Sequence, residues 1–290
     1  MSLSNTGIFT ATYIPINLKA NRNHLFVIPF GDIHFGAEHH ADKHFAKFIR
    51  EHKRNKYARY LGMGDYFDFA SYSEREHLAK THDSTQDKFD VVTKAEIRAF
   101  VKRYPHLVGN TLGLVEGNHY YRFRDGSTST QYLAELLHCK YLGAMALIKL
   151  GIKVGNSHFN YDICAYHGGG ACILFGGSIN RVVRMANGVN ADLYLQGHDH
   201  HVGVTSNTQI FLKRHAKLKE PIVCEKVQHF CRTGSFLKAF VNNRPSYIAD
   251  RGGNARTLGG VMIELSITRT THTHSELVRK VHQYNYGEVE

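Results

Sequence analysis

Residues 25–34, LFVIPFGDIH, contain the pattern on which the rest of this chain is built. Six largely apolar residues are followed by a glycine and then by Asp32 and His34. A short apolar run that ends in a glycine-containing polar motif is typical of a buried β-strand followed by a sharp turn. Four later segments repeat the arrangement, and they are YLGMGD (60–65), LGLVEGNH (112–119), ICAYHGGG (163–170) and LYLQGHDH (193–200).

Helical patterns separate several of these strands. Residues 41–55 carry apolar side chains at helical spacing between strands at 25–30 and 57–63, which predicts a βαβ unit with parallel strands. Further helices are predicted at 88–103, 129–140 and 178–187, and further strands at 111–115, 144–150, 159–166, 192–196, 201–212, 222–231 and 258–267. The pattern indicates an α/β fold, a two-sheet β-sandwich flanked by helices. Since no linker or repeat divides the chain, residues 1–290 are expected to form a single domain.

Composition restricts the class of protein. Hydrophobic residues make up 42% of the chain, which is enough for a sizeable core. No apolar run reaches the roughly 20 residues that span a bilayer, and the N-terminus lacks the pattern of a signal peptide. We therefore expect a cytoplasmic protein without membrane association. The five cysteines show no C-x-x-C spacing, which argues against a disulfide framework or a thiolate zinc site.

Charge and histidine content point toward particular partners. The 36 Lys and Arg residues exceed the 25 Asp and Glu residues, giving a formal net charge of +11. This excess favours an anionic partner such as nucleic acid, although solubility alone would also explain it. The 21 histidines are distributed through the chain rather than gathered in a tag, which makes metal binding the alternative to test by position.

The polar groups at the strand ends form a coherent set of metal ligands. Ligand sites in α/β sheets lie where the carboxyl ends of strands meet, so these side chains are expected to lie together. Carboxylates, imidazoles and one amide, without a thiolate, suit ions such as Mn²⁺, Fe²⁺ or Zn²⁺. Seven donors are too many for one tetrahedral ion but suit two ions that share an aspartate, and two ions ~3.5–4 Å apart can clamp a displacement at phosphorus. The seven are Asp32, His34, Asp65, Asn118, His167, His198 and His200.

Taken in order, the motifs resemble those of the calcineurin-like metallophosphoesterase superfamily. They are D-x-H at 32–34, G-D at 64–65, G-N-H at 117–119, H-G at 167–168 and G-H-x-H at 197–200. Each motif is common by itself, whereas all five in order, each after a predicted strand, are specific. The resemblance implies a four-layer αββα fold and hydrolysis of phosphate esters by a hydroxide held between two metal ions. Manganese is favoured for these ions, with iron, zinc or nickel as alternatives.

The resemblance also implies how the ligands divide. One ion would be bound by Asp32, His34 and His200, the other by Asn118, His167 and His198, with Asp65 bridging both. His119 would act on the substrate side, stabilising the transition state or protonating the leaving oxygen. In this family an acidic residue commonly follows that histidine and orients its imidazole, but here the next residue is Tyr120. An orienting partner for His119 must therefore come from elsewhere.

Structural interpretations stand beside these roles. Aspartate and asparagine after a strand are frequent turn formers, and a single histidine at a strand end is usually structural. Asp68 is either an acceptor behind the ligands or a helix N-cap, and Asp199 is expected to be solvated or to lie behind the ligands. His39, His40 and His201 are expected on the surface.

Two basic segments allow more than one interpretation. In residues 120–124, YYRFR, Arg122 and Arg124 would bind phosphates while the aromatic rings stack on bases, or the alternation forms an amphipathic segment that covers the core. Residues 213–219, KRHAKLK, would form a loop beside the site that follows a nucleic-acid backbone, or a solvated surface.

The sequence thus predicts a dinuclear metal-dependent phosphoesterase, favoured as a phosphodiesterase or nuclease that acts on nucleic acid or nucleotides. One alternative is a phosphomonoesterase or protein phosphatase on the same site. The other is a nucleic-acid-binding homologue without catalysis.

Overall fold

The computed structural model describes residues 9–19, 24–53, 55–69, 83–170, 172, 174–214, 220–241, 255–269 and 275–287. The strands in these ranges are β1 (Phe9–Leu18), β2 (His24–Phe30), β3 (Ala58–Gly62), β4 (Thr111–Leu114), β5 (Lys140–Tyr141), β6 (Met145–Val154), β7 (Ser157–Tyr166), β8 (Leu193–Gln196), β9 (Val202–Arg214), β10 (Pro221–Thr233), β11 (Leu258–Arg269) and β12 (Ser275–Tyr286). The α-helices are α1 (Asp42–His52), α2 (Asp83–Arg103), α3 (Ser129–Leu136) and α4 (Phe175–Arg184).

The strands form two six-stranded mixed sheets. The first has the order β1-β6-β7-β8-β10-β9, and the second has the order β12-β11-β2-β3-β4-β5. Strands β2 to β5 are parallel, as are β7, β8 and β10. Five of the parallel strands end immediately before the polar motifs, namely β2, β3, β4, β7 and β8.

Alternation along the strands builds the layers. In β2, Leu25 and Val27 lie in the core between the two sheets, while Ile28 and Phe30 pack on the opposite face against α1, α2 and α3. The outer face of the first sheet packs against α4 through residues such as Tyr194 and Val182. The result is a four-layer αββα arrangement, which confirms the predicted fold class.

Local sequence explains where individual helices begin. Helix α3 starts after Thr128, whose hydroxyl accepts from the backbone N–H of Gln131 while the Gln131 side chain accepts from the backbone N–H of Thr128. This reciprocal capping box satisfies two N–H groups that a helix leaves unpaired. The helix ends at Leu136, four residues before the predicted end, since Lys140 and Tyr141 pair with β4 as strand β5.

Two long strands were not predicted from the sequence. Strands β1 and β12 each lie at the edge of a sheet, where one side of the strand lacks a neighbour. Their side chains are therefore mostly half-buried or exposed, and their apolar content is too low to distinguish them from loops. All five cysteines are free thiols, and within the described ranges no helix is long and apolar enough to cross a membrane.

Candidate metal centre

The loops after β2 and β3 are joined backbone to backbone. Asp32 N donates to the Gly64 carbonyl at 3.0 Å, and His34 N donates to the Asp65 carbonyl at 3.1 Å. Gly64 has a φ of +95°, and a Cβ there would lie 2.5 Å from His167 Nδ1. A residue without a side chain is thus needed where the loop of the second sheet meets a histidine of the first.

Backbone strain is concentrated in the predicted ligands. Among the described residues, six that are not glycine have a positive φ, and His138 is the one that is not a predicted ligand. The left-handed conformation costs roughly 1–2 kcal/mol per residue and is held only where the surrounding structure enforces it, most often at functional sites. The other five are Asp32 (47°), His34 (50°), Asp65 (47°), His198 (76°) and His200 (60°).

The first group of donors contains Asp32, His34 and His200, with one ligand atom from each lying within 4.8 Å of the others. The Nε2 atom of His200 lies 3.6 Å from Asp32 Oδ1, and Asp32 is fully buried. His34 donates from Nδ1 to Asp68 Oδ1 at 3.2 Å. Its Nε2 is buried and has no hydrogen-bond partner among the described residues.

The second group contains Asp65, His167 and His198, again within 4.8 Å, together with Asn118. The Asn118 Oδ1 atom lies 3.0 Å from His167 Nε2 and 2.8 Å from His198 Nδ1. His167 Nε2 also lies 3.2 Å from Asp65 Oδ2. On the far side of the ring, Nδ1 donates to the Met63 carbonyl at 2.7 Å, which directs Nε2 into the group.

The donor chemistry of both groups fits cations. A neutral His167 that donates from Nδ1 has a lone pair on Nε2, yet two further acceptor oxygens face that atom. Either a cation lies between His167 Nε2 and these oxygens, or the ring carries a second proton on Nε2. His34 is also oriented by a hydrogen bond from Nδ1, in this case to Asp68. Its buried Nε2 has no hydrogen-bond partner among the described residues, so its lone pair is available to a cation. Ligands that share one ion at about 2.1 Å lie about 3 Å apart, as these atoms do.

Asp65 belongs to the second group, and its backbone carbonyl accepts from His34 N of the first group. Its Oδ2 contacts His167 in the second group, and its Oδ1 accepts from the backbone N–H of His119 at 2.9 Å. Its charge also reaches the first group: it adds to burial in raising the pKa of Asp32, and it opposes burial and the neighbouring histidine charges that lower the pKa of His200. The structure therefore brings the seven predicted ligands into two groups, with Asp65 in the second one. That these residues bind metal stays a prediction.

Burial and mutual charge set the protonation states of this site. Burial, with the His34 and His198 charges, holds the pKa of His200 well below its usual value. Burial followed by the His167 charge lowers the pKa of His198 to about 4. Both imidazoles are thus neutral at pH 7, the form that binds metal. Burial also raises the pKa of Asp32 to about 6.

His167 is the exception among the imidazoles. Burial alone would lower its pKa, but the Asp65 carboxylate outweighs burial and raises the pKa to about 9. The same pair holds the pKa of Asp65 below its usual value although burial opposes this. A proton therefore occupies His167 Nε2 when no metal is bound, and metal binding must displace it.

Asp68 supplies the partner that Tyr120 cannot provide. Its Oδ1 atom lies 3.1 Å from His119 Nδ1 and 3.2 Å from His34 Nδ1, so one carboxylate orients both rings. Burial alone would lower the pKa of His119, but the hydrogen bond that it donates to Asp68 and the charges of Asp65 and Asp68 together raise it. Sequence reasoning left Asp68 undecided, and its position three residues after Asp65 was the one available signal. The alternative N-cap role concerns residues 70–82, which lie outside the described residues.

Asp199 is not solvated. Its carboxylate is buried and pairs with Arg232 of β10, whose guanidinium also donates to the Gln196 side chain and the Gly197 carbonyl. Arg232 is 1% exposed. The pair fastens the loop that carries His198 and His200 to the first sheet. Sequence analysis missed Arg232, since nothing in the β10 pattern distinguishes it from a surface cation.

The contacts of the two predicted substrate-binding arginines are with residues outside the two donor groups. Arg124 pairs with Asp87 of α2 at 3.0 Å, and its backbone N–H donates to Asp90. Arg122 is exposed and forms a backbone bridge with Thr128. Tyr121 and Phe123 are buried in the core, so these two rings cannot stack on bases, as the amphipathic interpretation expects.

Other expectations about exposed residues need correction. Lys213 and Arg214 end β9, whose first residue Val202 follows the ligand loop. At about 3.3 Å per residue, they lie ~40 Å along the strand from Val202, so they do not form a loop beside the site. Residues 215–219 lie outside the described residues. His40 is not on the surface, because its side chain is 7% exposed and donates to the Ile33 carbonyl.

Comparisons with known proteins find similarity among solved structures only. No protein-family model matches this chain, and no curated protein matches it. The crystal structure of Chaetomium thermophilum Vps29 is similar with a TM-score of 0.36 and 12% identity, covering 91% of this chain and 97% of that chain. The structure of Chaetomium thermophilum Vps29 complexed with the RaPID-derived cyclic peptide RT-D3 gives a TM-score of 0.35 and 11% identity, covering 91% and 98%. This similarity does not identify the site residues. The site is defined by the buried aspartate and histidine groups of this chain.

Proposed function

We propose that this protein is a phosphoesterase that uses two divalent metal ions and cleaves phosphodiesters of nucleic acid or nucleotides. The observation that carries the proposal is the pair of donor groups, one around Asp32 and one around His167 and Asp65. Each group contains an imidazole nitrogen that is directed at other ligand atoms by a hydrogen bond on the far side of its ring.

The chemistry of bound ions would supply what the side chains lack. A divalent ion lowers the pKa of water from 15.7 toward ~7 and offsets negative charge on phosphoryl oxygens. Manganese suits this set of nitrogen and oxygen donors, with iron, zinc and nickel as alternatives. The ligands would be Asp32, His34 and His200 on one side, Asn118, His167 and His198 on the other, and Asp65 on both.

His119 is the group of this chain that is suited to protonate a leaving oxygen. Its side chain is 28% exposed and so can reach a substrate, while Asp68 holds Nδ1 and leaves Nε2 to face outward. The raised pKa keeps its acid form populated nearer to neutral pH. Its backbone N–H is fixed by Asp65, which couples the position of the acid to that of the shared ligand.

The net charge of +11 supports a polyanionic or nucleotide substrate over a phosphoprotein. The test is a paired assay of chelator-stripped protein with Mn²⁺ added back. The substrates are bis-nitrophenyl phosphate, nitrophenyl phosphate and labelled single- and double-stranded DNA and RNA. We expect Mn²⁺-dependent cleavage of the diester and of a nucleic acid. Hydrolysis of the monoester alone would assign the protein to the phosphatases, and metal binding without any turnover would overturn the enzymatic proposal.

A further inference from the structure

A cavity of about 380 Å³ lies beside the loop that carries His198 and His200. This volume is within the range of pockets that hold small ligands. None of the residues that line it belongs to the two donor groups. Those used below are Phe175, His201, Val202, Arg256, Gln283 and Asn285.

Chain connections place this cavity at the same end of the molecule as the donor groups. His201 and Val202 follow His200 directly. The segment 234–236 borders both regions, because Gly234 N donates to the His201 carbonyl at 3.0 Å and Phe236 N donates to the Asp32 carbonyl at 2.9 Å. The cavity and the donor groups are therefore bordered by the same two segments, 200–202 and 234–236.

Arg256 gives the cavity a fixed positive charge. Its guanidinium contacts the His201 ring and donates from Nη2 to the Cys172 carbonyl at 3.2 Å. These contacts fix the plane of the guanidinium. A planar guanidinium matches two phosphate oxygens at once, which a lysine ammonium does not.

The remaining walls offer contacts of the kind that a nucleoside needs. The Phe175 side chain is 50% exposed, and its ring lies 5.6 Å from the His201 ring in an edge-on arrangement. An exposed aromatic face can stack on a base of any identity. On β12, Gln283 Nε2 donates to Asn285 Oδ1 at 2.9 Å, so two amides stand side by side. Amides present both donors and acceptors, as the edge of a base does.

We propose that this cavity is a nucleotide subsite: it binds the nucleoside and a non-scissile phosphate next to the phosphate held at the metal centre. Arg256 pairs with the non-scissile phosphate, Phe175 stacks on the base, and the Gln283–Asn285 pair contacts the edge of the base. The inference rests on the proposed function, since it assigns nucleotide-containing diesters as the preferred substrates of that site.

The test compares two ligands by calorimetry on the Mn²⁺-loaded protein. Adenosine 5′-diphosphate carries a nucleoside and a second phosphate beside its terminal phosphate, whereas inorganic phosphate carries neither. We expect the nucleotide to bind at least tenfold more tightly than phosphate, and Arg256→Gln to reduce this affinity ratio to below threefold. Phe175→Ala should weaken nucleotide binding at least fivefold through lost stacking, without a change of charge. Lys213→Gln, at the far end of β9, removes the same charge as Arg256→Gln and should keep the wild-type ratio.

Equal affinity for the two ligands, or an affinity ratio that Arg256→Gln and Phe175→Ala both leave intact, would overturn the subsite even if Mn²⁺-dependent hydrolysis occurs. Conversely, an affinity ratio that both variants reduce would support the subsite even if the protein hydrolyses no diester, in which case the proposed function alone would be wrong.

Discussion

Asp68 connects two residues with different tasks, because its carboxylate lies 3.1 Å from His119 and 3.2 Å from His34. An amide at this position would keep the shape but offer a neutral acceptor, and its NH₂ group could face an imidazole N–H. We therefore expect Asp68→Asn to lower turnover with saturating Mn²⁺ by about 10- to 100-fold, as is usual when a carboxylate behind a site histidine is lost. His119→Ala should lower turnover by about 10²–10⁴-fold.

Metal analysis separates this effect from loss of the ions. Both variants should retain two Mn²⁺ per chain at saturation, although Asp68→Asn should bind the ion near His34 more weakly. Asp87→Asn is the matched control, since Asp87 is an exposed carboxylate of α2 that pairs with Arg124. If Asp68→Asn turned over as fast as this control, Asp68 would not be the residue that orients His119.

At the residue scale, the sequence predicted the aspartate and histidine side chains that gather at the strand ends, but it did not settle which side chains hold them in place. Asp32 and His167 were recognisable because each follows an apolar strand and a glycine lies beside it. Arg232 and Asp68 lacked such a signal, since their role depends on contacts between segments distant in sequence. The positive φ values of the ligands were also not predictable, because residue type alone does not specify such strained conformations.

The loop between β8 and β9 depends on the buried pair formed by Arg232 and Asp199. Arg232→Leu would leave the Asp199 carboxylate buried without its partner. Breaking a buried pair in this way costs about 3–5 kcal/mol, whereas replacing both partners with apolar residues costs much less. We expect unfolding in guanidinium chloride to show this loss of unfolding free energy for Arg232→Leu. The double variant with Asp199→Leu should recover a substantial part of it. A loss below about 1 kcal/mol in the single variant would mean that the pair does not stabilise the loop.

Helix α1 contributes a pH-dependent element through His52. The side chain is 6% exposed, packs edge-on against Phe48 and Tyr284, and its Nε2 has no hydrogen-bond partner among the described residues. Burial, with the His282 charge, lowers the pKa of His52 to about 4, below the ordinary value of 6.5. On acidification the unfolded chain therefore takes up a proton before the folded chain does, so stability falls as the pH drops from about 6.5 toward 4.

The size of this effect follows from the shift. Because the unfolded chain takes up this proton first, lowering the pH from 7 to 5 should reduce the free energy of unfolding by about 2 kcal/mol. The variant His52→Leu should lack this part of the pH dependence. Urea unfolding at the two pH values measures it. His158→Leu, at an exposed histidine of β7, should keep the wild-type difference. Parallel behaviour of His52→Leu and the wild type would show that His52 is not the group responsible.

For the whole molecule, the central strands were predictable because their apolar runs are buried on both faces, whereas the four-layer order was implied by the family resemblance. The edge strands β1 and β12 were not, since their half-polar alternation is weak, and β1 also pairs with the distant strand β6. The wrong placement of Lys213 and Arg214 has a related cause. Whether a basic segment lies beside a site depends on the length of the strand before it, and β9 extends to Arg214, two residues beyond its predicted end.

The central claim is that this protein binds two divalent ions that share Asp65 and hydrolyses phosphodiesters with them. The most direct measurement is a Mn²⁺ titration of chelator-stripped wild-type and Asp65→Ala protein that records bound Mn²⁺ and hydrolysis of bis-nitrophenyl phosphate in the same samples. The account predicts two ions per wild-type chain, with hydrolysis rising as the second ion binds, and loss of at least one ion together with hydrolysis in Asp65→Ala. Saturation at one ion in the wild type, or near-normal turnover by metal-replete Asp65→Ala, would contradict it.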